Sequence, residues 1–134
     1  LPSLISFSEK KQTPETPNVL GMYLLSKVVA DFLRRGITTL RRETEYKAAL
    51  LYNLLDSSSI AKAFVSQKAD RSQTVIVADC GSRLEEITKH LRHKGLHPGE
   101  GYGAAKKTQL RFANFPAHSK EQFELLVDTL GSIE

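Results

Sequence analysis

Two short segments of the chain have the composition of β-strands, and each is followed by a segment with helical periodicity. The first, TVIVA (residues 74–78), is rich in β-branched residues and follows the polar run KADRSQ. The second, TQLRFANF (residues 108–115), alternates well enough for a strand. Two long helical segments precede both. This order predicts an α+β fold with a small, mainly antiparallel sheet covered by helices.

The N-terminal part of the chain is predicted to lead into a helix. Residues 1–15 are interpreted as an extended lead-in segment. Thr16 suits the N-cap of a first helix, with Pro17 at the first helical position, where its missing N–H costs nothing. Apolar residues recur at helical spacing after Asn18, and Gly36 is a natural C-terminal stop.

A second helix is predicted over residues 37–55. Its apolar residues should face inward, whereas the charged stretch RRETEYK (residues 41–47) should lie mostly outward. The inward positions are Leu40, Ala48, Leu51, Leu54 and Leu55.

Two further helices are predicted from capping boxes, in which a Ser is followed three residues later by Glu or Gln. Ser82 and Glu85 open a helix that runs to Gly95. Ser119 and Gln122 open the last helix. The Gly-rich stretch LHPGEGYGAAKK (residues 96–107) lies between them and cannot be regular structure throughout.

Length and composition limit the classes of protein. A chain of 134 residues is the size of one ordinary domain, and residues 1–134 are predicted to form one. The net charge of +4 suits an anionic ligand, but basic and acidic residues alternate along the helices, so no nucleic-acid partner is expected. No apolar run is long enough to span a bilayer, and no membrane partner is expected. The first residue is Leu, and the chain is interpreted as a piece of a longer protein.

Few residues indicate chemistry by themselves. The single cysteine, Cys80, excludes an intramolecular disulfide and a Cys-based metal site, and it is compatible with a cytoplasmic location. His90 and His93 are spaced for half a metal site, but a solvated pair is favoured, so no metal is predicted.

Two positions have both a structural and a functional interpretation. Thr16 before Pro17 either caps a helix or, with the positive end of the helix dipole, holds a phosphate. Arg111 either lies on the solvated face of its strand or forms a forked clamp on a carboxylate. From the residues alone the structural interpretation is favoured for both.

Three segments together resemble one family. ETPNVLGMYLLSKV (residues 15–28) resembles the segment of phosphoserine aminotransferases that commonly reads Asn-Thr-Pro-Pro-Thr before an apolar helix with Tyr. DRSQTVIVA (residues 70–78) is similar to the family's Asp-Arg-Ser stretch before a strand. LRFANFPAHSKEQFELLVDTL (residues 110–130) resembles its closing segment. The resemblance covers residues 13–133 in order.

The resemblance implies the C-terminal small domain of a fold-type I, class V aminotransferase that depends on pyridoxal 5'-phosphate. Residues 1–15 would then lead in from a large cofactor-binding domain. The implied partners are a second copy of the chain, in a homodimer, and small amino-acid and keto-acid substrates. The implied role is amino transfer between L-glutamate and 3-phosphohydroxypyruvate in serine biosynthesis, in the cytoplasm.

The resemblance also implies roles for individual residues. Thr16 would bind the cofactor phosphate of the neighbouring subunit. Glu15 stands where the family usually has Asn, and its carboxylate would repel that phosphate. Arg111 matches the arginine that binds the substrate α-carboxylate. No residue of this segment matches a catalytic group, so the segment alone should be inactive.

The family's His-Arg pair, which binds the substrate phosphate, falls at Ala104 and Ala105. Neither alanine can bind a phosphate through its side chain. Lys106 and Lys107 are adjacent and carry the charge needed, although as point charges rather than planar forks. Two alternatives therefore stay open: a class V aminotransferase acting on a non-phosphorylated amino acid, and a non-catalytic module that binds a small molecule.

Overall fold

The computed structural model describes residues 2–133 and divides into two compact units, with the boundary after Ile37. The first unit contains helices α1 (Pro2–Glu9) and α2 (Val19–Arg35). Helix α3 (Ile37–Ser57) belongs, after its first residue, to the second unit. The rest of the second unit consists of β1 (Lys62–Ala63), β2 (Val75–Asp79), α4 (Leu84–His93), β3 (Gly99–Glu100), β4 (Gln109–Ala113) and α5 (Lys120–Gly131), with three short 3₁₀ helices (Lys68–Asp70, Gly81–Arg83, Gly103–Lys107).

The start of α2 differs from the sequence-based prediction. The N-cap is Asn18, whose side-chain oxygen accepts a hydrogen bond of 2.9 Å from the backbone N–H of Gly21. Thr16, predicted to be the N-cap, lies two residues before it. The physical reason is a tight turn at Asn18, in which the N–H of Val19 donates to the carbonyl of Pro17 at 2.8 Å. Asn is a strongly preferred N-cap, so it takes this role once the chain has turned.

The prediction that residues 1–15 are extended was wrong for Pro2–Glu9, which forms α1. Serine alternates with apolar residues there, and the pattern gave no clear helical period. The prediction that Gly36 ends the first long helix is confirmed: its φ of +82° is a conformation that glycine adopts readily.

The second unit is built on a four-stranded antiparallel sheet with the order β1-β2-β4-β3. The two central strands, β2 and β4, were each predicted as strands from the sequence, with small differences at the strand ends. The two edge strands are two residues each and were not predicted. In the register, Val77 pairs with Arg111, which pairs in turn with Gly99. The α+β class with an antiparallel sheet is confirmed.

The helices α3, α4 and α5 contribute side chains to one hydrophobic core on one face of the sheet. Neighbouring residues of a strand point to opposite faces, so Ile76, Ala78, Leu110 and Phe112 are buried in this core. The helices contribute Ala48, Leu51, Tyr52, Leu55, Ile87, Leu91, Phe123, Leu126 and Leu130. The intervening strand residues are on the other face, where Val77 and Arg111 are only half-buried.

Two local predictions for the helices were wrong, and one is confirmed. Lys47, expected on the outer face of α3, is 1% exposed. Ser82 does not cap α4, because a 3₁₀ turn over Gly81–Arg83 precedes that helix and its N-cap position, Arg83, makes no side-chain capping bond. Ser119 and Gln122 form the predicted capping box of α5.

In the part of the chain that the structure describes, none of the helices is both long and apolar enough to cross a membrane.

Candidate functional site

Arg111 stands in the middle of β4 on the face of the sheet that the core helices leave uncovered. Its neighbours in sequence, Leu110 and Phe112, are buried on the opposite face, so the strand's alternation turns Arg111 away from the core. Gly99 on the edge strand β3 pairs with it directly. Because Gly99 has no side chain, the long arginine side chain can extend across β3.

The segment from Gly99 to Tyr102 fixes the guanidinium of Arg111. Its Nε donates a 2.6 Å hydrogen bond to the carbonyl of Glu100, and Nη1 donates a 2.8 Å bond to the phenol oxygen of Tyr102. The Cζ atom lies 4.0 Å from the centroid of the Tyr102 ring, within cation–π distance. The Nη2 nitrogen is close to Gly99, where a Cβ would lie 3.4 Å away.

A cleft of about 410 Å³ adjoins Arg111. Its lining combines residues of the uncovered sheet face with apolar core residues and two imidazoles. The lining includes Arg111, Gly99, His97, His118, Phe123 and Leu126. An apolar cleft with one fixed charged group is the usual form of a small-molecule site, since apolar contacts supply affinity and the polar group sets orientation.

The arrangement around Arg111 suits a carboxylate. A guanidinium has five N–H donors in a planar fork, and the Glu100 carbonyl already accepts from Nε. A carboxylate would therefore bind end-on, across Nη1 and Nη2, each of which carries two hydrogens. This geometry is compatible with the second interpretation of Arg111 given from the sequence, a forked clamp on a carboxylate.

The structure does not bring the two lysines into this cleft. Lys106 and Lys107 end the 3₁₀ helix Gly103–Lys107 and are exposed. Lys106 lines a separate groove of about 370 Å³, together with Leu110 and Glu85. A role for either lysine with the substrate phosphate stays a prediction.

The segment around Thr16 and Glu15 belongs to the first unit. Residues 11–17, which include Lys11, Thr16 and Glu15, line a shallow, open depression. The hydroxyl of Thr13 donates to the backbone carbonyl of Glu15 at 2.6 Å. A hydroxyl and an ammonium suit a phosphate, whereas the carboxylate opposes one.

Arg71, from the Asp-Arg-Ser stretch, has a structural role. It donates to both carboxylate oxygens of Asp56, at 3.0 and 2.6 Å, and to the carbonyl of Val65 at 3.0 Å. Its Cζ lies 4.7 Å from the ring centroid of Tyr52. The Arg71 guanidinium holds the pKa of Asp56 at about 2, below its ordinary value of 3.8. The motif therefore fastens the loop before β2 to α3.

Two further reactive residues, Cys80 and His90, are not among the residues that line the cleft beside Arg111. Cys80 is buried, and burial raises the pKa of its thiol to about 11, so the thiol stays protonated at neutral pH. His90 is within 3.3 Å of the Ser132 hydroxyl. Among residues 2–133, no three His, Cys, Asp or Glu side chains are grouped as a metal site would need.

Sequence reasoning missed Tyr102, Gly99 and the Glu100 carbonyl as parts of the site. Their signal was present in the Gly-rich stretch, where an aromatic residue stands between two glycines in GYG. The contact with Arg111 could not be predicted, because it depends on the pairing of β3 with β4, which neither segment specifies alone.

The comparisons with known proteins agree on one family. No family model matches the chain. The phosphoserine aminotransferase of Rhodococcus opacus is 31% identical over 97% of this chain, and a putative phosphoserine aminotransferase of Mycolicibacterium vanbaalenii is 32% identical over 87%. The aligned regions are 36% and 32% of those relatives, so the chain spans about a third of their length.

Solved structures give the same result. The crystal structure of a phosphoserine aminotransferase from Cytophaga hutchinsonii is 42% identical with a TM-score of 0.88, covering 98% of this chain and 37% of that one. The solved structure of the phosphoserine aminotransferase from Bacillus circulans subsp. alkalophilus has a TM-score of 0.84 at 22% identity and covers 96% of this chain and 36% of that one. At that identity it supports the fold alone.

The chain thus has the α+β fold of an aminotransferase segment. More particularly, it is similar over nearly its whole length to about a third of a phosphoserine aminotransferase, and the resemblance inferred from the three sequence segments is confirmed.

Proposed function

We propose that the chain is the C-terminal part of a phosphoserine aminotransferase that depends on pyridoxal 5'-phosphate. The whole enzyme transfers an amino group between L-glutamate and 3-phosphohydroxypyruvate, a step of serine biosynthesis. The observation that carries the proposal is the Arg111 guanidinium, which is fixed beside a cleft in a chain similar to proteins of that name.

Arg111 binds the α-carboxylate that both substrates share. The planar fork matches the two carboxylate oxygens, and a hydrogen bond to a charged group contributes about 1.5–3 kcal/mol. With the carboxylate held across Nη1 and Nη2, the rest of the substrate is oriented relative to the strand β4. Arg111 therefore positions the substrate and does not itself transfer a proton.

The residues of the first unit fit the cofactor's phosphate in part. The hydroxyl of Thr16, with Lys11 in the same depression, supplies donors for it, and the carboxylate of Glu15 opposes it. We assign Thr16 to that phosphate and assign no such contact to Glu15. When bound, the cofactor supplies the electron sink that amino transfer needs. This chain alone should be inactive, since nothing in it matches the lysine that holds the cofactor.

The proposed assembly is a homodimer in the cytoplasm, with a large domain preceding residues 1–15. The apolar side chains along α2 support a covering partner, because none of the residues of this helix is buried. Residues 1–134 are proposed to be the C-terminal part of that enzyme, and Thr16 to act at the neighbouring subunit's cofactor.

A substrate panel on the intact enzyme tests the reaction. We expect amino transfer from L-glutamate to 3-phosphohydroxypyruvate with a kcat/KM at least about tenfold above that for pyruvate or hydroxypyruvate, since charged contacts are worth at least about 1.4 kcal/mol. The 134-residue chain alone, measured beside it, should show no activity. Equal or better use of the keto acids without phosphate would contradict the assignment of 3-phosphohydroxypyruvate as the preferred substrate.

A further inference from the structure

We propose that Tyr102 is the positioning residue that holds Arg111 ready for end-on binding of the substrate carboxylate. The inference rests on the proposed function, because it takes Arg111 to be the substrate's carboxylate ligand. It goes further by assigning a role to a second residue and by naming the edge of the guanidinium that the substrate meets.

The side chain of Tyr102 contacts the guanidinium of Arg111 in two ways. Its phenol oxygen accepts from Nη1 at 2.8 Å, and its ring lies over the guanidinium with a centroid distance of 4.0 Å. The tyrosine is nevertheless 73% exposed, so burial in the core does not explain its place. The ring therefore stands at the surface as one wall beside the guanidinium.

Tyr102 and Glu100 restrict the guanidinium from different sides. The Glu100 carbonyl takes the Nε donor, which removes the side-on fork formed by Nε and Nη2. The Tyr102 ring covers one face of the plane, and its oxygen takes one hydrogen of Nη1. What remains is the Nη1–Nη2 edge, whose Nη2 end lies beside Gly99, a residue without a side chain.

Glycines fix the loop that carries Tyr102. A Cβ at Gly101 would lie 2.4 Å from the Ala105 carbonyl, so no other residue fits without a shift of the backbone. Gly103 has a φ of +53°, which L-residues rarely adopt. The Tyr102 carbonyl accepts from the N–H of Ala105 at 3.0 Å. The GYG sequence thus places the aromatic ring over Arg111 by means of a tight turn.

An arginine side chain has many rotamers. If the guanidinium must be ordered each time a substrate binds, the lost conformational entropy lowers the affinity for the substrate. A preordered guanidinium lowers KM without affecting the chemical step. We therefore expect Tyr102 variants to change KM for both substrates and to leave kcat nearly unchanged.

The experiment compares Tyr102→Phe and Tyr102→Leu in the intact enzyme. Tyr102→Phe keeps the ring and loses the hydrogen bond, so KM for L-glutamate should rise about threefold, and Tyr102→Leu, which loses both contacts, about tenfold or more. Kcat should stay within about twofold, because the chemical step is untouched. Tyr46→Phe is the matched control: it removes another phenol hydrogen bond, to Glu124 at 2.7 Å, and should change neither constant.

Binding without turnover is measured with glutarate, an unreactive dicarboxylate of the length of glutamate, by titration calorimetry. Its dissociation constant should rise in the same order as KM. Arg111→Ala separates the two proposals. If Arg111→Ala weakens binding and the Tyr102 variants do not, the role of Tyr102 is wrong and the proposed function stands. If Arg111→Ala changes nothing, the carboxylate site itself is wrong, and the inference about Tyr102 fails with it.

Discussion

Lys47 was predicted to be exposed but is buried in the structure. Its ammonium group donates hydrogen bonds to the carbonyls of Phe115 at 3.1 Å and His118 at 2.7 Å, and it lies 5.3 Å from the ring centroid of Phe123. A buried charge is tolerated only where such partners replace water. Lys47 thereby ties α3 to the turn between β4 and α5.

Replacing Lys47 with Met should destabilise the chain. The methionine keeps most of the volume but leaves the two partly buried carbonyls without this charged donor, at a cost of about 1–3 kcal/mol. Urea unfolding should show a lower midpoint with an unchanged slope. Lys89→Met, at an exposed position of α4, is the control and should move the midpoint little. An unchanged midpoint for Lys47→Met would contradict the role assigned to these two bonds.

Single residues were the part that sequence reasoning judged least well. Arg111 was identified, yet the residues alone favoured a solvated position, because a strand pattern does not say what crosses the neighbouring strand. Lys47 was placed on the outer face, because charged residues are rarely fully buried. Its carbonyl partners are about 70 residues away in sequence and give no local signal.

At the scale of the elements, Arg71 and Asp56 join the loop before β2 to α3. Lys68 adds a further contact to the same carboxylate at 3.2 Å. The hydrogen bonds from Arg71, the largest cause, lower the pKa of Asp56 to about 2. A carboxyl whose pKa is lower in the folded state stabilises the fold above its ordinary pKa of 3.8, and this contribution is lost as the pH falls toward 2.

The thermal stability of the chain should therefore fall between about pH 4 and pH 2, partly through this one carboxylate. Asp56→Asn should lower the melting temperature at pH 6 and reduce its dependence on pH in that interval. Asp128→Asn, at an exposed position of α5, is the control and should have the same melting temperatures as the unchanged chain. Equal pH profiles for Asp56→Asn and the unchanged chain would exclude the ion pair as a source of acid sensitivity.

The elements that sequence reasoning identified correctly have local causes. The capping box of Ser119 and Gln122 is complete within four residues, and the central strands have their own composition. At Ser82 the same pattern was misleading, because the side chain of Asp79 accepts from the N–H of Gly81 at 3.1 Å and begins a 3₁₀ turn first. The edge strands β1 and β3 exist only through pairing with longer neighbours, so no pattern within them predicts them.

For the whole molecule, the sequence predicted the class of fold, and the comparisons confirm the resemblance to phosphoserine aminotransferases. The order β1-β2-β4-β3 brings Gly99 beside Arg111, and this pairing creates the candidate site. Such a contact depends on tertiary pairing and could not be predicted from either segment. The two proposed ligand-binding regions, around Thr16 and around Arg111, belong to different compact units.

The most direct test of the account is the steady-state kinetics of Arg111→Ala in the intact enzyme, with Arg83→Ala, at an arginine paired with Glu86 on α4, as the control. Loss of a carboxylate ligand worth about 1.5–3 kcal/mol should raise KM for both L-glutamate and 3-phosphohydroxypyruvate by about tenfold to a hundredfold. The control should leave both values unchanged. A KM for Arg111→Ala within about twofold of the unchanged enzyme would contradict the assignment of Arg111 to the substrate carboxylate.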